Sequence, residues 1–137
     1  MRKSKATLYI IIIFITLFIL SACATKDEQR LLVYKINNNY YTLEKNCVER
    51  ISLREDRPEF SRNDNLVIEL DNQKECVQLF SKFISSNIGG RIHSLFDGYE
   101  IYPATKIVSA IHFSDGLFYQ AISERKVALE IVKVYAN

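Results

Sequence analysis

From Ala6 to Ala22 the chain carries no charged residue, and Arg2, Lys3 and Lys5 stand just ahead of that run. An apolar stretch this short, after a basic start and before small residues, reads as a secretory signal rather than a spanning helix. The alternative is an uncleaved N-terminal anchor helix. A signal over residues 1–22 takes no part in the fold and leaves 115 of the 137 residues. That is enough for one compact domain. The charge balance changes as well. Three of the 18 basic residues lie in the signal, so 15 face 16 acidic ones, a formal net of −1. Nothing then resembles a basic footprint for nucleic acid, and there is no acidic tail. With 4 Gly and 2 Pro and no internal repeat, neither low complexity nor long disorder is expected.

Leu20, Ser21, Ala22 and Cys23 close the apolar run. Leu three residues before a Cys, with small residues between, is similar to the lipobox of bacterial lipoproteins. The resemblance implies that Cys23 receives a diacylglyceryl group and becomes the first residue of the mature protein. Anchoring by more than one acyl chain, palmitate-like in kind, is effectively stable. Ala24 stands where an Asp would signal inner-membrane retention. By analogy with enteric lipoproteins, the expected location is the outer membrane, facing the periplasm. In a source without an outer membrane it is the outer face of the plasma membrane. Residues 23–30 form a lipidated tether, and 31–137 a single domain.

With Cys23 committed to lipid, Cys47 and Cys76 remain as an even pair in an oxidising compartment. They are expected to form a disulfide; the alternative is two buried thiols acting as small hydrophobes. Neither a CxxC nor a Cys/His cluster occurs, so a redox or zinc site, and any other metal, is not expected.

Hydrophobic periodicity outlines the domain. "LLVYKI", "NNN" and "YYTLEK" read as a hairpin, because Asn tolerates the positive φ of a tight turn. "CVERISL" and "NLVIELD" read as strands, with a charged loop at 54–64 between them. Asn72 and Glu75 have the spacing of a capping box. Cys76, Leu79, Phe80, Phe83 and Ile84 then recur at helical spacing. Gly89-Gly90 can end that helix. "RIHSLF", the turn "DG" at Asp97-Gly98, and "YEIYP" ending at Pro103 form a second hairpin. "KIVSAIHF" and "LFYQAI" are further strand candidates. Ser123 can cap a last helix with Val127, Leu129, Ile131 and Val134 apolar. The expected class is α+β: a mostly antiparallel sheet with two helices packed on one face.

The run 65–135 resembles the head of the first periplasmic domain of SecD, a subunit of the bacterial protein-export auxiliary complex. The resemblance is carried by "VIELD", Phe80, "NIGGR", "LFDG", "YEIYP", "SDG" and "SERKVALEI". Pro103 comes slightly early, the glycine-rich stretch is reduced to "SDG", and SecD's membrane helices have no counterpart. The resemblance therefore implies a shared fold rather than a motor, and contact with emerging polypeptide.

Chemistry is sparse. His93 and His112 sit in strand-like contexts and read as sheet residues rather than bases. No nucleophile elbow, HExxH helix or phosphate loop occurs. "IGGR" follows a helix instead of opening one, so it makes no anion cradle. Glu49, Glu69, Asp71, Asp97 and Glu100 fit solvated edges or caps. A non-enzyme without cofactor is expected. Of seven tyrosines after the signal, Tyr40 and Tyr41 must face opposite ways along a strand. Tyr99 and Tyr102 are expected to differ in face too, and these four form a candidate partner surface. Two functions fit: a binding module for a protein or peptide in the periplasm, or an inhibitor or immunity-type lipoprotein blocking a toxin, hydrolase or phage. An enzyme with no recognisable motif ranks behind both.

Overall fold

The structure is a computed structural model that describes residues 30–55, 63–110 and 115–136. The signal, Cys23, most of the tether, Pro58 and the "IHF" end of "KIVSAIHF" with His112 lie outside the described residues.

Among the described residues, seven strands and two helices follow one another as β1 (Leu32–Ile36), β2 (Asn39–Thr42), β3 (Val48–Leu53), β4 (Asp64–Leu70), α1 (Cys76–Ser85), β5 (Arg91–Phe96), β6 (Tyr99–Lys106), β7 (Leu117–Ile122) and α2 (Arg125–Tyr135). The class is α+β, and every strand pairing is antiparallel. The strands divide into a four-stranded sheet, β2-β1-β5-β6, and a three-stranded sheet, β3-β4-β7.

Turn chemistry sets both hairpins. Asn37 takes φ 53°, and Asp97 and Gly98 take φ 55° and 80°, the left-handed pair that a two-residue hairpin loop requires. In "NIGGR", Gly89 takes φ 90° just after α1, the left-handed residue expected to end that helix, and Gly90 serves packing. A Cβ on Gly90 would come within 2.7 Å of Ile36 Cγ2, so only glycine lets the chain after α1 pass this close to β1.

Alternation in β1 and β4 buries Leu32, Tyr34 and Ile36 from one sheet, and Leu66, Ile68 and Leu70 from the other. Both helices close over this core. Phe80 of α1 stacks on Tyr34, Tyr41 and Phe118, with ring centroids 5.1, 5.0 and 5.0 Å away. Ala128 and Ile131 of α2 are fully buried. The Tyr135 hydroxyl accepts from Leu32 N–H at 2.9 Å and donates to the Leu43 carbonyl at 2.6 Å, tying α2 to the first hairpin. A disulfide joins Cys47, in the turn before β3, to Cys76 at the start of α1.

Several local expectations are corrected. Asn72 does not cap α1: its amide donates to the Asp115 carbonyl at 3.2 Å, and the helix starts at Cys76 without a side-chain cap. Ser123 does not cap α2 either. Its N–H is paired with the Ile101 carbonyl at 2.9 Å, and Glu124 takes the cap position with no side-chain bond. Leu79 and Leu129 point outward, about half exposed, while Ala128 takes the inward position. At 100° per residue the buried face of α2 runs through Ala128, Ile131 and Tyr135, and Leu129 falls off it.

Pro103 does not end its strand; β6 continues to Lys106. The proline is tolerated because β6 is an edge strand and the register shifts beside it, between Ile92 and Ser94. Of the described part of "KIVSAIHF", only Lys106 joins a strand, and residues 107–110 are irregular.

Candidate functional site

Two edge strands, β6 and β7, run beside each other without forming a ladder. The Ser123–Ile101 hydrogen bond joins them at one point. Past it they diverge and leave a cleft of about 260 Å3, walled by Tyr102 and Pro103 on one side and Tyr119 and Ala121 on the other. Phe80 and Phe118 lie at its base. A buried polar contact crosses that base: Ser94 Oγ donates to Gln120 Oε1 at 3.1 Å, while the Gln120 amide donates to the Ala121 carbonyl at 2.8 Å. Both side chains are therefore satisfied, which their burial demands.

On the edge of β7 that faces the cleft, N–H groups are open for pairing, while the Ala121 carbonyl already accepts from the Gln120 amide. Leu117 N–H donates to Asp115 Oδ1 and Ser123 N–H to β6, so both point away from β4. By alternation the N–H groups of Tyr119 and Ala121 point the same way, and among the described residues neither has a strand partner. An exposed edge of this kind is a template for an added strand.

On the other side of the Ser123–Ile101 bond lies a second cleft, of about 400 Å3. Its apolar base includes Phe96, Ile101 and Val127, and its rim carries Asp97, Glu100, Glu124 and Glu130. Arg30 reaches over it, with its guanidinium 5.5 Å from the Phe96 ring centroid. It donates to Glu130 at 3.0 Å and forms a longer ion pair with Asp97 at 3.7 Å.

The four candidate tyrosines separate. Tyr40 is exposed beneath the Lys35 ammonium, 5.4 Å from the ring centroid. Tyr41 turns inward onto Phe80 and Phe83 and belongs to the core. Its hydroxyl pKa is raised by burial and then by Glu44. Tyr99 and Tyr102 do not differ in face as expected. A register shift between Ser94 and Leu95 adds one residue to β6, so Tyr99 opposes Phe96 and Tyr102 opposes Ser94. Phe96 and Ser94 share a face, and so do the two tyrosines. Tyr99 borders the acidic cleft, 77% exposed, and Tyr102 walls the apolar one, its hydroxyl accepting from Asn63 at 3.3 Å.

His93 Nδ1 lies 2.7 Å from Glu100 Oε1 on an exposed part of the hairpin. Glu69 pairs with Arg50 at 2.8 Å, and Glu49 is exposed. Asp71 accepts from Gln73 N–H at 2.9 Å, which with Lys74 holds its carboxyl below the ordinary range. None of these forms a nucleophile–base arrangement. Among the described residues no group of three or more His, Cys, Asp or Glu is placed to hold a metal ion.

Sequence reasoning passed over Gln120, Tyr119, Arg30 and Tyr34. Gln120 was visible as the one polar residue on the inward parity of "LFYQAI", between Phe118 and Ile122. Tyr34 is 2% exposed, and burial holds its hydroxyl pKa well above the tyrosine range. That hydroxyl has no hydrogen-bond partner among the described residues.

No family model matches the chain, and no curated protein matches it. Among solved structures, the crystal structure of SecDF in its super-membrane-facing form is similar to it, with a TM-score of 0.51 and 24% identity. The fold is SecDF-like. The likeness covers 68% of this chain, more than the run 65–135 alone, and 12% of the SecDF chain. What is shared is thus one domain-sized part of SecDF, and at this identity the likeness speaks to fold.

Proposed function

We propose that this chain is an envelope lipoprotein, lipid-anchored through Cys23, whose SecD head-like domain binds an extended segment of a protein or peptide between β6 and β7. It carries out no reaction of its own. The observation behind the binding reading is a strand edge whose N–H groups at Tyr119 and Ala121 have no strand partner among the described residues, with an apolar cleft directly beside it. An added strand gains backbone hydrogen bonds from the edge and lodges alternate side chains in the cleft. The contact with emerging polypeptide that the SecD resemblance implies points the same way, towards a role in export or envelope maintenance. The lipobox-like LSAC run supports the anchor, and Ala24 in place of an Asp supports an outer-membrane location facing the periplasm.

A photo-crosslinking residue at position 102 tests the binding reading. With an extended peptide of alternating valine and threonine as probe, adducts are expected at 102 and not at 40, which is exposed but remote from the cleft. Absence of adducts at 102, or equal capture at 40, would overturn it. Capture at 102 of a folded toxin or hydrolase in preference to extended peptides would favour the inhibitor reading.

The anchor has its own test. Cys23→Ser removes the only thiol the lipobox offers, and each buried acyl methylene is worth about 0.8 kcal/mol. The variant is expected to be released from membranes or left with its signal uncut. Normal membrane fractionation of the variant would exclude lipidation at Cys23.

A further inference from the structure

We infer that Gln120 selects what the apolar cleft binds: a segment whose residue opposite it carries an uncharged side-chain amide, asparagine above all, between apolar neighbours. The inference rests on the peptide-binding reading and extends it to the chemistry of the partner. Gln120 stands on the inward parity of β7, between Phe118 and Ile122, and is 8% exposed. Its two polar atoms do different work. Oε1 accepts from Ser94 Oγ across the floor of the cleft, which ties β7 to β5. Nε2 donates to the Ala121 carbonyl at 2.8 Å, on the edge where a segment would pair. The second N–H of that amide has no partner among the described residues.

Pairing changes this arrangement. An added strand brings an N–H to the Ala121 carbonyl. It displaces the Gln120 amide or shares the oxygen with it, and in both cases a buried amide is left short of acceptors. In antiparallel pairing the added residue opposite Gln120 faces the same floor, in the kind of pair where side chains come closest. An apolar side chain there leaves the amide unpaired. The carbonyl of an asparagine takes it, and the asparagine nitrogen can donate to Ser94 Oγ, whose lone pairs are open. A carboxylate could accept as well, but Phe80 and Phe118 at the base make burying its charge costly. The same two rings keep the neighbouring inward positions apolar. The simpler reading is that Gln120 is a satisfied core residue that only bridges the sheets. Such a bridge needs the Ser94 bond alone, whereas the hold on Ala121 couples Gln120 to the edge.

The full chain, solubilised in detergent, tests this by fluorescence anisotropy with two labelled peptides of alternating valine and threonine. In place of the central valine one carries asparagine and the other leucine, which has a similar shape and no amide. The asparagine peptide is expected to bind about tenfold tighter, the scale of one buried hydrogen bond. Gln120→Met keeps the length of the side chain and removes its amide. This variant is expected to lose or reverse the preference and to bind the leucine peptide more tightly, since no displaced donor remains. A Gln120 that only bridges the sheets would change both affinities alike. Equal or tighter binding of the leucine peptide to the wild-type chain, or an unchanged preference in Gln120→Met, overturns the inference and leaves peptide binding standing. Failure of both peptides to bind the wild-type chain overturns peptide binding as well. The wild-type comparison decides by itself, so a Gln120→Met chain that fails to fold does not shield the inference.

Discussion

Phe80→Ala is expected to destabilise the domain by about 3–5 kcal/mol, the range for emptying a buried aromatic site. Phe80 is 2% exposed and, among the described residues, touches the rings of Tyr34 of β1, Tyr41 of β2 and Phe118 of β7. It is the contact through which α1 holds the two sheets together. Aromatic pairs contribute roughly 0.5–1.5 kcal/mol each beyond burial, so losing three at once puts the cost at the upper end. A domain of this size holds about 5–15 kcal/mol in all. Urea denaturation followed by circular dichroism should show the midpoint falling by more than about 1 M, given slopes of 1–3 kcal/mol per M. Phe80→Leu keeps most of the volume and should cost clearly less. A loss below about 1 kcal/mol for the alanine variant would mean the sheets are held elsewhere.

Reducing the Cys47–Cys76 bond is expected to cost about 3–4 kcal/mol. The bond closes a loop between residues 29 apart in sequence, and the chain-entropy model gives that size for such a loop. The loop contains β3, β4 and the approach to α1, so most of the three-stranded sheet lies inside it. A Cys47→Ser, Cys76→Ser double variant should lose a similar amount, because both single thiols are gone and no half-pair is left. Non-reducing mass analysis of native protein should find neither thiol open to alkylation. Labelling of both in native protein would refute the bond. Equal unfolding midpoints with and without reductant would show that it adds nothing to stability.

Much of this fold could be read from residue spacing, and the parts that could not share a cause. Strands β1, β4 and β7 were legible because alternation records which face is buried, and that information is local. The two hairpin turns were legible because positive φ restricts residue choice at the turn itself. The capping assignments failed for a distant reason. Asn72 and Ser123 have suitable side chains, but the Asn72 amide is taken by Asp115 and the Ser123 backbone N–H by Ile101, both far along the chain. Pro103 looked like a terminator until β6 proved to be an edge, and edge status depends on the whole sheet. The same holds for Tyr99 and Tyr102, whose relative facing was inverted by a single-residue bulge. The clefts were the least legible feature. Their walls come from β5, β6, β7 and the helices, and no segment of sequence carries the pattern. SecD-like order in the run 65–135 pointed to the architecture without pointing to them.

The hold of Tyr135 on Leu32 and Leu43 also has a mechanical meaning. Strand β1 begins two residues after Arg30 and lies between β2 and β5, hydrogen-bonded on both sides. A pull arriving through residue 30 runs along β1 and loads both ladders in shear, so many bonds share the force instead of yielding one at a time. The hydroxyl clamp couples the last turn of α2 to the same strand, at the point where the load enters. A domain drawn between a membrane and a partner held at the β6/β7 seam would thus pass the tension from that seam into its best-secured strand.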